Sequence, residues 1–275
     1  MMRNDAKIAF IGGGNMAGAF LGGLAGKLTV GANVHVVDPN ADALARLAGR
    51  FGVSTATQVD DRVYEVDAIV LAVKPQQMRD VAAALLPHLC GQLVLSIAAG
   101  IRAADLSRWL GGCNAVVRCM PNTPALIGQG ITGMVATDGV SEAQREMAEA
   151  IMRSVGATVW LDDESLIDPV TAISGSGPAY VFYFIEAMQQ AAQEMGLTAE
   201  QATQLAIATF TGAAQLAAQS GDPVSVLRER VTSKGGTTYA ALTSMEQSGV
   251  KQAIVKALHA AAARGRELGD EFGKD

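Results

Sequence analysis

The stretch that decides the fold is KIAFIGGGNMAGAFLGGLAGKLTVGANVHVVD, from Lys7 to Asp38. It begins with the apolar run Ile8 to Ile11, which is too short for a helix and is typical of a buried strand in a parallel sheet. A glycine turn follows, and then helix-forming residues from Met16 to Lys27. A second strand, His35 to Asp38, ends in a carboxylate. This order predicts a strand, a turn, a helix and a strand that together bind a dinucleotide.

The turn from Gly12 to Ala17 fits the pattern G-x-G-x-x-G/A. In that pattern Gly12 permits the tight turn, Gly14 lets the backbone approach a pyrophosphate, and Ala17 lets the helix lie close against the strand. Phosphate charge then faces unpaired N–H groups at the helix start. The alternative is a glycine-rich turn without a ligand. The surrounding strands, and Asp38 at 26 residues beyond Gly12, favour a ligand, because an acid near that position hydrogen-bonds the adenosine ribose.

The overall composition limits the classes of protein that need consideration. The 275 residues exceed one typical domain and predict two. Hydrophobic residues make up 49% but aromatic residues only 5%, which suits close helix packing better than a β-sandwich. The 21 basic and 27 acidic residues give a net charge of −6, which argues against nucleic acid or an anionic membrane as a partner.

Two further features of the sequence concern the compartment. The N-terminal residues MMRNDAK lack the apolar segment of a signal peptide, and no run approaches the ~18 apolar residues of a membrane span. We therefore expect a soluble, cytoplasmic protein. Cys90, Cys113 and Cys119 form no CxxC pair and no cluster with histidine, so free thiols are expected rather than disulfides or a metal site.

Three more apolar runs predict buried strands that alternate with helices: Asp67 to Val73, Gln92 to Ile97 and Ala115 to Cys119. Each run ends in small or turn-forming residues. Ligands of an open α/β sheet bind beyond the carboxyl ends of its strands, so these ends are expected to share one crevice. The predicted segments of the crevice are Gly12–Ala17, Asp38, Ala72–Pro75, Ala98–Gly100 and Met120–Thr123.

The pattern changes in the second half of the chain. Ile131 to Ala136 and Ala157 to Leu161 predict two strands that complete the sheet, around a helix from about Ser141 to Ser154. From Asp163 onward only helix-like segments occur. We therefore predict an α/β Rossmann-type dinucleotide-binding domain at residues 1–162 and an all-α domain at residues 163–275. Its predicted helices are Glu164–Ala172, Pro178–Met195, Ala199–Gln219, Pro223–Arg230, a segment from near Gly236, and Val250–Leu268.

The most unusual stretch of the second domain is VTSKGGTTYAAL, from Val231 to Leu242. Two glycines followed by two threonines at a helix start bring free backbone N–H groups and a hydroxyl to one point, which can receive a small carboxylate. A plain capped helix is the alternative, and on this motif alone it is slightly favoured. The small residues of Ala206 to Ala218 allow close helix contacts, either in a core or at a subunit interface.

Six motifs together make the chain resemble pyrroline-5-carboxylate reductase, the family of the last step of proline synthesis. They keep the family's order and spread over nearly the whole chain. The GGTT motif after the SGSGPAY helix start is specific, whereas the glycine fingerprint alone is not. The motifs are GGGNMA at 12–17, AVKPQ at 72–76, SIAAG at 96–100, MPNTP at 120–124, SGSGPAY at 174–180 and TSKGGTT at 232–238.

The resemblance implies a Rossmann domain and a helical domain through which two chains dimerise, with each active site where both domains meet. Dimers of this family often assemble further, commonly into decamers. The resemblance also implies that the N–H groups of Gly236, Thr237 and Thr238, with Ser233, hold the substrate carboxylate, and that the Thr238 hydroxyl faces the ring nitrogen. The cofactor, NADP or NAD, is expected to contact Gly12, Gly13, Gly14, Asn15, Met16, Ala17, Asp38, Ala72, Val73, Lys74, Pro75, Ala98, Ala99, Gly100 and Asn122.

The expected reaction is hydride transfer to the C=N carbon of 1-pyrroline-5-carboxylate, which gives L-proline. A protonated imine already carries its activating charge, so no strong acid is needed, and none of the three histidines borders a predicted site. A 3-hydroxyacid dehydrogenase would use a lysine on an early helix of the second domain, but Pro178–Met195 contains none. Lys74 suits contact with the cofactor or an anion, although a plain surface role is nearly as compatible with its position. A dinucleotide sensor without catalysis remains the alternative from another class.

Asp38 bears on the choice of cofactor. A carboxylate at the end of the second strand bonds a free 2′-hydroxyl and repels a 2′-phosphate, so we expect NADH to serve at least as well as NADPH. The alternative is that Asp38 only caps the turn at Pro39-Asn40.

Overall fold

The computed structural model describes residues 5–274. Their strands form one sheet of eight in the order β3-β2-β1-β4-β5-β6-β7-β8. Every neighbouring pair is parallel except β6 and β7, which are antiparallel. The strands are β1 (Ile8–Ile11), β2 (Val34–Val37), β3 (Ser54–Ala56), β4 (Ala68–Leu71), β5 (Leu93–Ser96), β6 (Val116–Met120), β7 (Gly130–Ala136) and β8 (Gly156–Trp160).

Helices connect the strands and make up nearly all of the chain after β8. Their starts follow ordinary capping chemistry where a cap is present: Asn40, Ser141 and Thr198 each accept a backbone N–H of the helix they precede. The helices are α1 (Asn15–Leu24), α2 (Ala41–Phe51), α3 (Met78–Leu85), α4 (Ala103–Trp109), α5 (Glu142–Arg153), α6 (Ile167–Val170), α7 (Gly177–Glu194), α8 (Ala199–Gln219), α9 (Val224–Arg230), α10 (Thr237–Gln247) and α11 (Val250–Phe272).

The core of the sheet lies on both of its faces. Alternate side chains of β1 point to opposite sides, so Ile8 and Phe10 join one hydrophobic cluster and Ala9 and Ile11 join the other. The first cluster includes α1, α2 and α5, and the second includes α3 and α4. Burial on both faces explains why these strands are continuous apolar runs rather than alternating ones.

The predicted α/β class is confirmed, and the differences from the predicted elements have local causes. The edge strand β3 was not predicted, because its three residues are only half-buried beside β2 and do not form an apolar run. The helix predicted at Glu164–Ala172 is a short 3₁₀ turn, then α6, then a π-helical turn at residues 171–175. Pro169 lies inside α6 and cannot donate a backbone hydrogen bond, which favours this irregular geometry.

The chain forms two compact units whose limits differ from the predicted ranges. The first unit runs through Ser176 and includes the chain again from Ala260, and the second spans Gly177–His259. Glu164 explains part of the difference, because its carboxylate accepts both Ala103 N (2.7 Å) and Arg118 Nη1 (2.8 Å) of the sheet unit. We call these the sheet unit and the helical unit.

The helical unit has almost no core of its own. Among its described residues only Ala202 and Ala206 are buried hydrophobic residues. Large apolar side chains of α7 and α8 are instead exposed, including Phe182 (60%), Tyr183 (72%) and Leu205 (56%). An apolar face of this kind marks an interface with another chain. None of the helices within residues 5–274 combines the length and the apolar character that crossing a bilayer requires.

Candidate active site

The glycine turn lies between the ends of β2 and β4. Gly12 N donates to Val37 O (2.8 Å), and Gly12 has a φ of +105°. A Cβ at this position would lie 2.5 Å from the carbonyl oxygen of Ala72. Only glycine meets both conditions, since other residues rarely adopt this conformation and the close neighbour is backbone. The turn is therefore fixed by its contact with the end of β4.

The start of α1 is built to receive an anion. Gly14 is the N-cap, no side chain caps the helix, and its first turn carries no acid. A Cβ on Gly14 would meet no atom within 4 Å, so the space beside the helix start is open at this residue. Together with the helix dipole, this arrangement favours bound phosphate. The residues present thus fit the pyrophosphate of a dinucleotide.

Asp38 contacts the same turn with its carboxylate. Gly13 N donates to Oδ2 (2.7 Å) and Asn40 N donates to Oδ1 (2.7 Å). Asp38 therefore caps the turn at Pro39-Asn40 and also accepts a hydrogen bond from the glycine turn, while its contact with a ribose stays a prediction. The side chain is half-buried, and both oxygens are held by backbone donors.

The five predicted segments of the crevice lie at one edge of the sheet. β2, β1, β4, β5 and β6 are adjacent and parallel, so the residues that follow them leave at the same side. Ala72 N donates to Ile11 O (2.7 Å) and Ile97 N to Leu71 O (3.2 Å), which extends the ladder to these ends. Val73 contacts the turn, while Lys74 is exposed at the start of a 3₁₀ turn that Pro75 opens.

Two predicted cofactor residues also carry structural contacts. Asn122 Oδ1 accepts Ile131 N (3.0 Å), which ties the turn after β6 to the start of β7. Gly100 has a φ of +75° and is buried against α11, where a Cβ would lie 3.0 Å from Leu268. Close packing on α11 explains this glycine, and its contact with a cofactor stays a prediction of the resemblance alone.

The second site lies at the start of α10 in the helical unit. Gly236 is the N-cap, and neither a side-chain cap nor an acid occupies the first turn. The N–H of Gly236, which was predicted to hold the substrate carboxylate, donates instead to Ser233 O (3.0 Å). Helix geometry leaves the N–H groups of Thr237, Thr238 and Tyr239 unpaired. A Cβ on Gly236 would lie 2.6 Å from Ser233 Oγ, so the serine hydroxyl stands against the helix start.

The Thr238 hydroxyl differs from three other threonine hydroxyls of the helical unit that bond backbone carbonyls, and Thr238 is more buried than Thr209, Thr211 and Thr237. The hydroxyls of Thr203, Thr232 and Thr243 donate to the carbonyl four residues earlier, at 2.8, 2.6 and 2.8 Å. Within the described chain no such acceptor pairs with Thr238, which is half-buried. Its hydroxyl is therefore available to a ligand at the helix start.

One charged pair near the predicted crevice was missed from the sequence. Arg118 on β6 is 5% exposed and binds Glu164, which also holds the first residue of α4. A charged residue inside the apolar run AVVRCM was the available signal, because buried charges in proteins are paired. The pair fixes the strand that leads into Met120 and Asn122.

None of the three histidines belongs to the glycine turn or to the start of α10. His35 is buried on β2 with Nδ1 2.8 Å from Ser54 Oγ, and burial lowers its pKa. His88 lies near Asp61, and His259 is exposed on α11. The three cysteines are free, and burial raises the pKa of Cys119. Within residues 5–274 no group of acids, cysteines and histidines forms a metal site.

Comparison with known proteins identifies the family. The chain is 46% identical to the pyrroline-5-carboxylate reductase of Pseudomonas aeruginosa over 269 residues, which cover 98% of each chain. This chain belongs to the pyrroline-5-carboxylate reductase family. Residues 164–268 match the family model for pyrroline-5-carboxylate reductase dimerisation, and residues 7–100 match the model for NADP oxidoreductases dependent on coenzyme F420. The reductase is thus an oxidoreductase that uses NAD(P)H and associates with itself.

Solved structures of relatives agree with the whole fold of the reductase. The pyrroline-5-carboxylate reductase of Coxiella burnetii is 40% identical and superimposes with a TM-score of 0.90, covering 96% of this chain and 99% of the relative. The Plasmodium falciparum pyrroline carboxylate reductase, which was solved with NADP bound, is 29% identical to this chain and superimposes with a TM-score of 0.87. The match covers 98% of this chain and 100% of the relative. The expected family and the Rossmann and helical parts are confirmed.

Proposed function

We propose that this reductase converts 1-pyrroline-5-carboxylate to L-proline with the start of α10 as its substrate site. The observation that carries the proposal is the helix start at Gly236, which has unpaired N–H groups, no acid, and a half-buried hydroxyl without a protein acceptor among the described residues. Family membership over 98% of the chain supplies the reaction. A cyclic imine with one carboxylate matches this set of donors.

The substrate carboxylate binds at the N–H groups of Thr237 and Thr238 and at the Ser233 hydroxyl. The positive end of the α10 dipole adds to these hydrogen bonds. Glycine is required at position 236 because a side chain there would lie against Ser233 Oγ. Lys234, in the same loop, carries no ion pair among the described residues and adds positive charge for the approaching anion.

Thr238 orients the ring nitrogen by a hydrogen bond and is the catalytic residue. The reduced nicotinamide, when bound, supplies a hydride to the C=N carbon. The nitrogen of the protonated imine keeps its proton and becomes the secondary amine of proline, so atoms and charge balance without a strong acid in the protein. The main task of the protein is to hold the reacting carbons roughly 3 to 3.5 Å apart.

The cofactor is held at the carboxyl edge of the sheet. The glycine turn and the first turn of α1 bind the pyrophosphate, and Asp38 binds the adenosine ribose. The ends of β4, β5 and β6 supply the remaining contacts, through Ala72 to Pro75, Ala98 to Gly100, and Asn122. Support comes from the adjacency of these ends and from the open space at Gly14.

We also propose that the reductase works as a cytoplasmic homodimer that assembles further into decamers. The exposed apolar faces of α7 and α8 support the dimer. A free thiol at the exposed Cys90 supports a reducing compartment. The net charge of −6 argues against nucleic acid as a partner.

The test compares two substrates that differ only in the carboxylate. Purified protein is assayed with 1-pyrroline-5-carboxylate and with 1-pyrroline, with NADH and NADPH in turn, following nicotinamide absorbance and proline formation. We expect kcat/KM for the substrate without the carboxylate to fall by about 100-fold, as loss of a charge-assisted site requires. Equal use of both imines would reject the α10 site. Nucleotide binding without oxidation by either imine would favour a sensor.

A further inference from the structure

We propose that Asp38 makes this reductase select NADH over NADPH. The inference rests on the proposed function, because it concerns the cofactor of that reaction, and it goes further by assigning the choice to one side chain. Its starting point is geometric: the carboxylate of Asp38 lies at the glycine turn where the dinucleotide binds, with Oδ2 2.7 Å from Gly13 N.

The carboxylate cannot turn away from a ligand without loss. Oδ2 accepts Gly13 N and Oδ1 accepts Asn40 N, both at 2.7 Å, so rotation of the side chain would break two charge-assisted hydrogen bonds. The packing is also close, since a Cβ on Gly13 would lie 3.3 Å from Asp38 Cβ. Asp38 therefore presents a fixed negative charge.

A fixed carboxylate distinguishes the two nucleotides by charge and by hydrogen bonding. Each oxygen still has a lone pair after binding one N–H, and a ribose with free 2′- and 3′-hydroxyls can donate to both. A 2′-phosphate offers acceptors and about two negative charges instead. Its oxygens would face those of Asp38 with no proton between them.

The residues that directly follow Asp38 in the sequence supply no positive charge for a 2′-phosphate. From Asp38 to Ala45 the sequence DPNADALA contains no basic residue and includes a second acid, Asp42, in the first turn of α2. The first cation after β2 is Arg46. It lines a cavity of about 740 Å³ whose wall also includes Gly13, Gly14 and Asn15 of the glycine turn. Lys27 and Arg50 line the same cavity, whereas Asp38 is not part of that lining. Lys74 is the other cation at this edge, but it follows β4, which is separated from β2 by β1.

The experiment measures the dissociation constants of NADH and NADPH directly, by the change in nicotinamide fluorescence, and then kcat/KM with each. We expect the wild-type protein to bind NADH at least about tenfold more tightly than NADPH, the scale of one charged hydrogen bond. In Asp38→Asn and Asp38→Ser, the affinity ratio should move by about tenfold or more toward NADPH. Asp42→Asn removes the neighbouring acid in the first turn of α2 and should leave the ratio within about twofold of the wild-type value.

The ratio of the NADH and NADPH affinities shows whether Asp38 selects the nucleotide or only stabilises the turn. If Asp38 only holds the turn, its variants will bind both nucleotides more weakly by the same factor, and the proposal is overturned. A preference of the wild-type protein for NADPH also overturns the proposal. Because this measurement needs no variant, the proposal can be tested even if one of the variants folds poorly. If Lys74→Met weakens the binding of NADPH but not of NADH, Lys74 rather than Asp38 determines which nucleotide is preferred, and the proposal is overturned. Failure of the proposed function is a different result, because the nucleotides would then bind but no proline would form.

Discussion

Two helices of the reductase begin in the same way in different surroundings. α1 starts at Gly14 and α10 at Gly236, and each start lacks a side-chain cap and an acid in its first turn. α1 buries Ala17, Phe20, Leu21 and Leu24 against the sheet, whereas α10 has no buried residue. The dinucleotide site is thus supported by the chain's own core. The start of α10 belongs to a unit that needs another chain to bury its apolar faces.

This difference separates what one chain can do from what the assembly can do. A rigid anion site needs neighbours that hold its backbone in place, because a loose site loses affinity and catalytic precision. The sheet unit supplies those neighbours at Gly12 and Asp38. We therefore expect nucleotide binding to survive conditions that abolish catalysis.

The largest effect should follow from breaking self-association. Phe182 on α7 is 60% exposed in the single chain, and Phe182→Glu would place a charge on the apolar face. Burying an unpaired charge costs several kcal/mol, so the assembly should dissociate and turnover should fall on the order of 100-fold or more. Light scattering after gel filtration measures the mass of the assembly. Nicotinamide fluorescence measures the affinity for NADH, which should stay within about twofold of the wild-type value.

The matched control is Gln193→Glu, which adds the same charge at an exposed polar position of α7. It should change neither mass nor turnover. If Phe182→Glu dissociates the assembly but keeps full turnover, the helical unit does not need a partner and the comparison of the two units fails.

The next effect concerns the hydroxyl at the start of α10. Thr238→Val keeps the shape of the side chain and removes the hydroxyl oxygen that accepts the N–H of the protonated imine, so kcat should fall by about 100-fold. NADH affinity, measured by fluorescence, should not change. Thr243→Val on the same helix removes a hydroxyl that only bonds Tyr239 O and should leave kcat within about twofold. Equal kcat in both variants would deny Thr238 its role.

A pair of glycines in one turn tests how the sheet unit holds its site. Gly12→Ala should lower the free energy of unfolding by about 2 kcal/mol or more, because of the left-handed φ and the 2.5 Å approach to Ala72 O. Gly14→Ala has open space and should cost less than about 1 kcal/mol, yet its methyl group enters the space of the pyrophosphate. Urea unfolding and nucleotide titration distinguish the two. Loss of stability in Gly14→Ala comparable to that in Gly12→Ala would contradict this account.

The smallest effect is a pH dependence confined to the sheet unit. Glu149 on α5 accepts Trp160 Nε1 (3.2 Å) and pairs with Arg153, and the Trp160 hydrogen bond is the main reason that its pKa is lowered. A lowered pKa means that the contribution is present above the ordinary value for glutamate and disappears as the pH falls through the folded value. Glu149→Gln should therefore lower stability by less than about 1 kcal/mol at pH 7.

In urea unfolding the difference between Glu149→Gln and the wild-type protein should shrink as the pH falls below the ordinary pKa of glutamate, and it should vanish below the lowered pKa of the folded state. It should also be independent of protein concentration, because the contact lies within one chain. A difference that grows toward acid pH would have the wrong sign for this contact.

The sequence predicted the central strands well because burial on both faces makes them continuous apolar runs. It also predicted the glycine turns that precede α1 and α10, where the left-handed φ at Gly12 and Gly235 favours glycine. It did not predict β3, whose three residues owe their conformation to pairing with β2. It also missed the Arg118–Glu164 pair, because partners 46 residues apart in sequence leave no local pattern.

The return of α11 to the sheet unit has a consequence for biosynthesis. Gly100 packs on Leu268 and Phe272, and Arg102 pairs with Asp270 at 2.6 Å, so the sheet unit contains residues from both ends of the chain. A ribosome releases the last helix only after the helical unit has emerged. During synthesis the sheet unit therefore lacks its packing against α11 until the end of the chain has emerged. Premature termination near residue 260 would leave Gly100 and its neighbours exposed to the quality-control machinery of the cell.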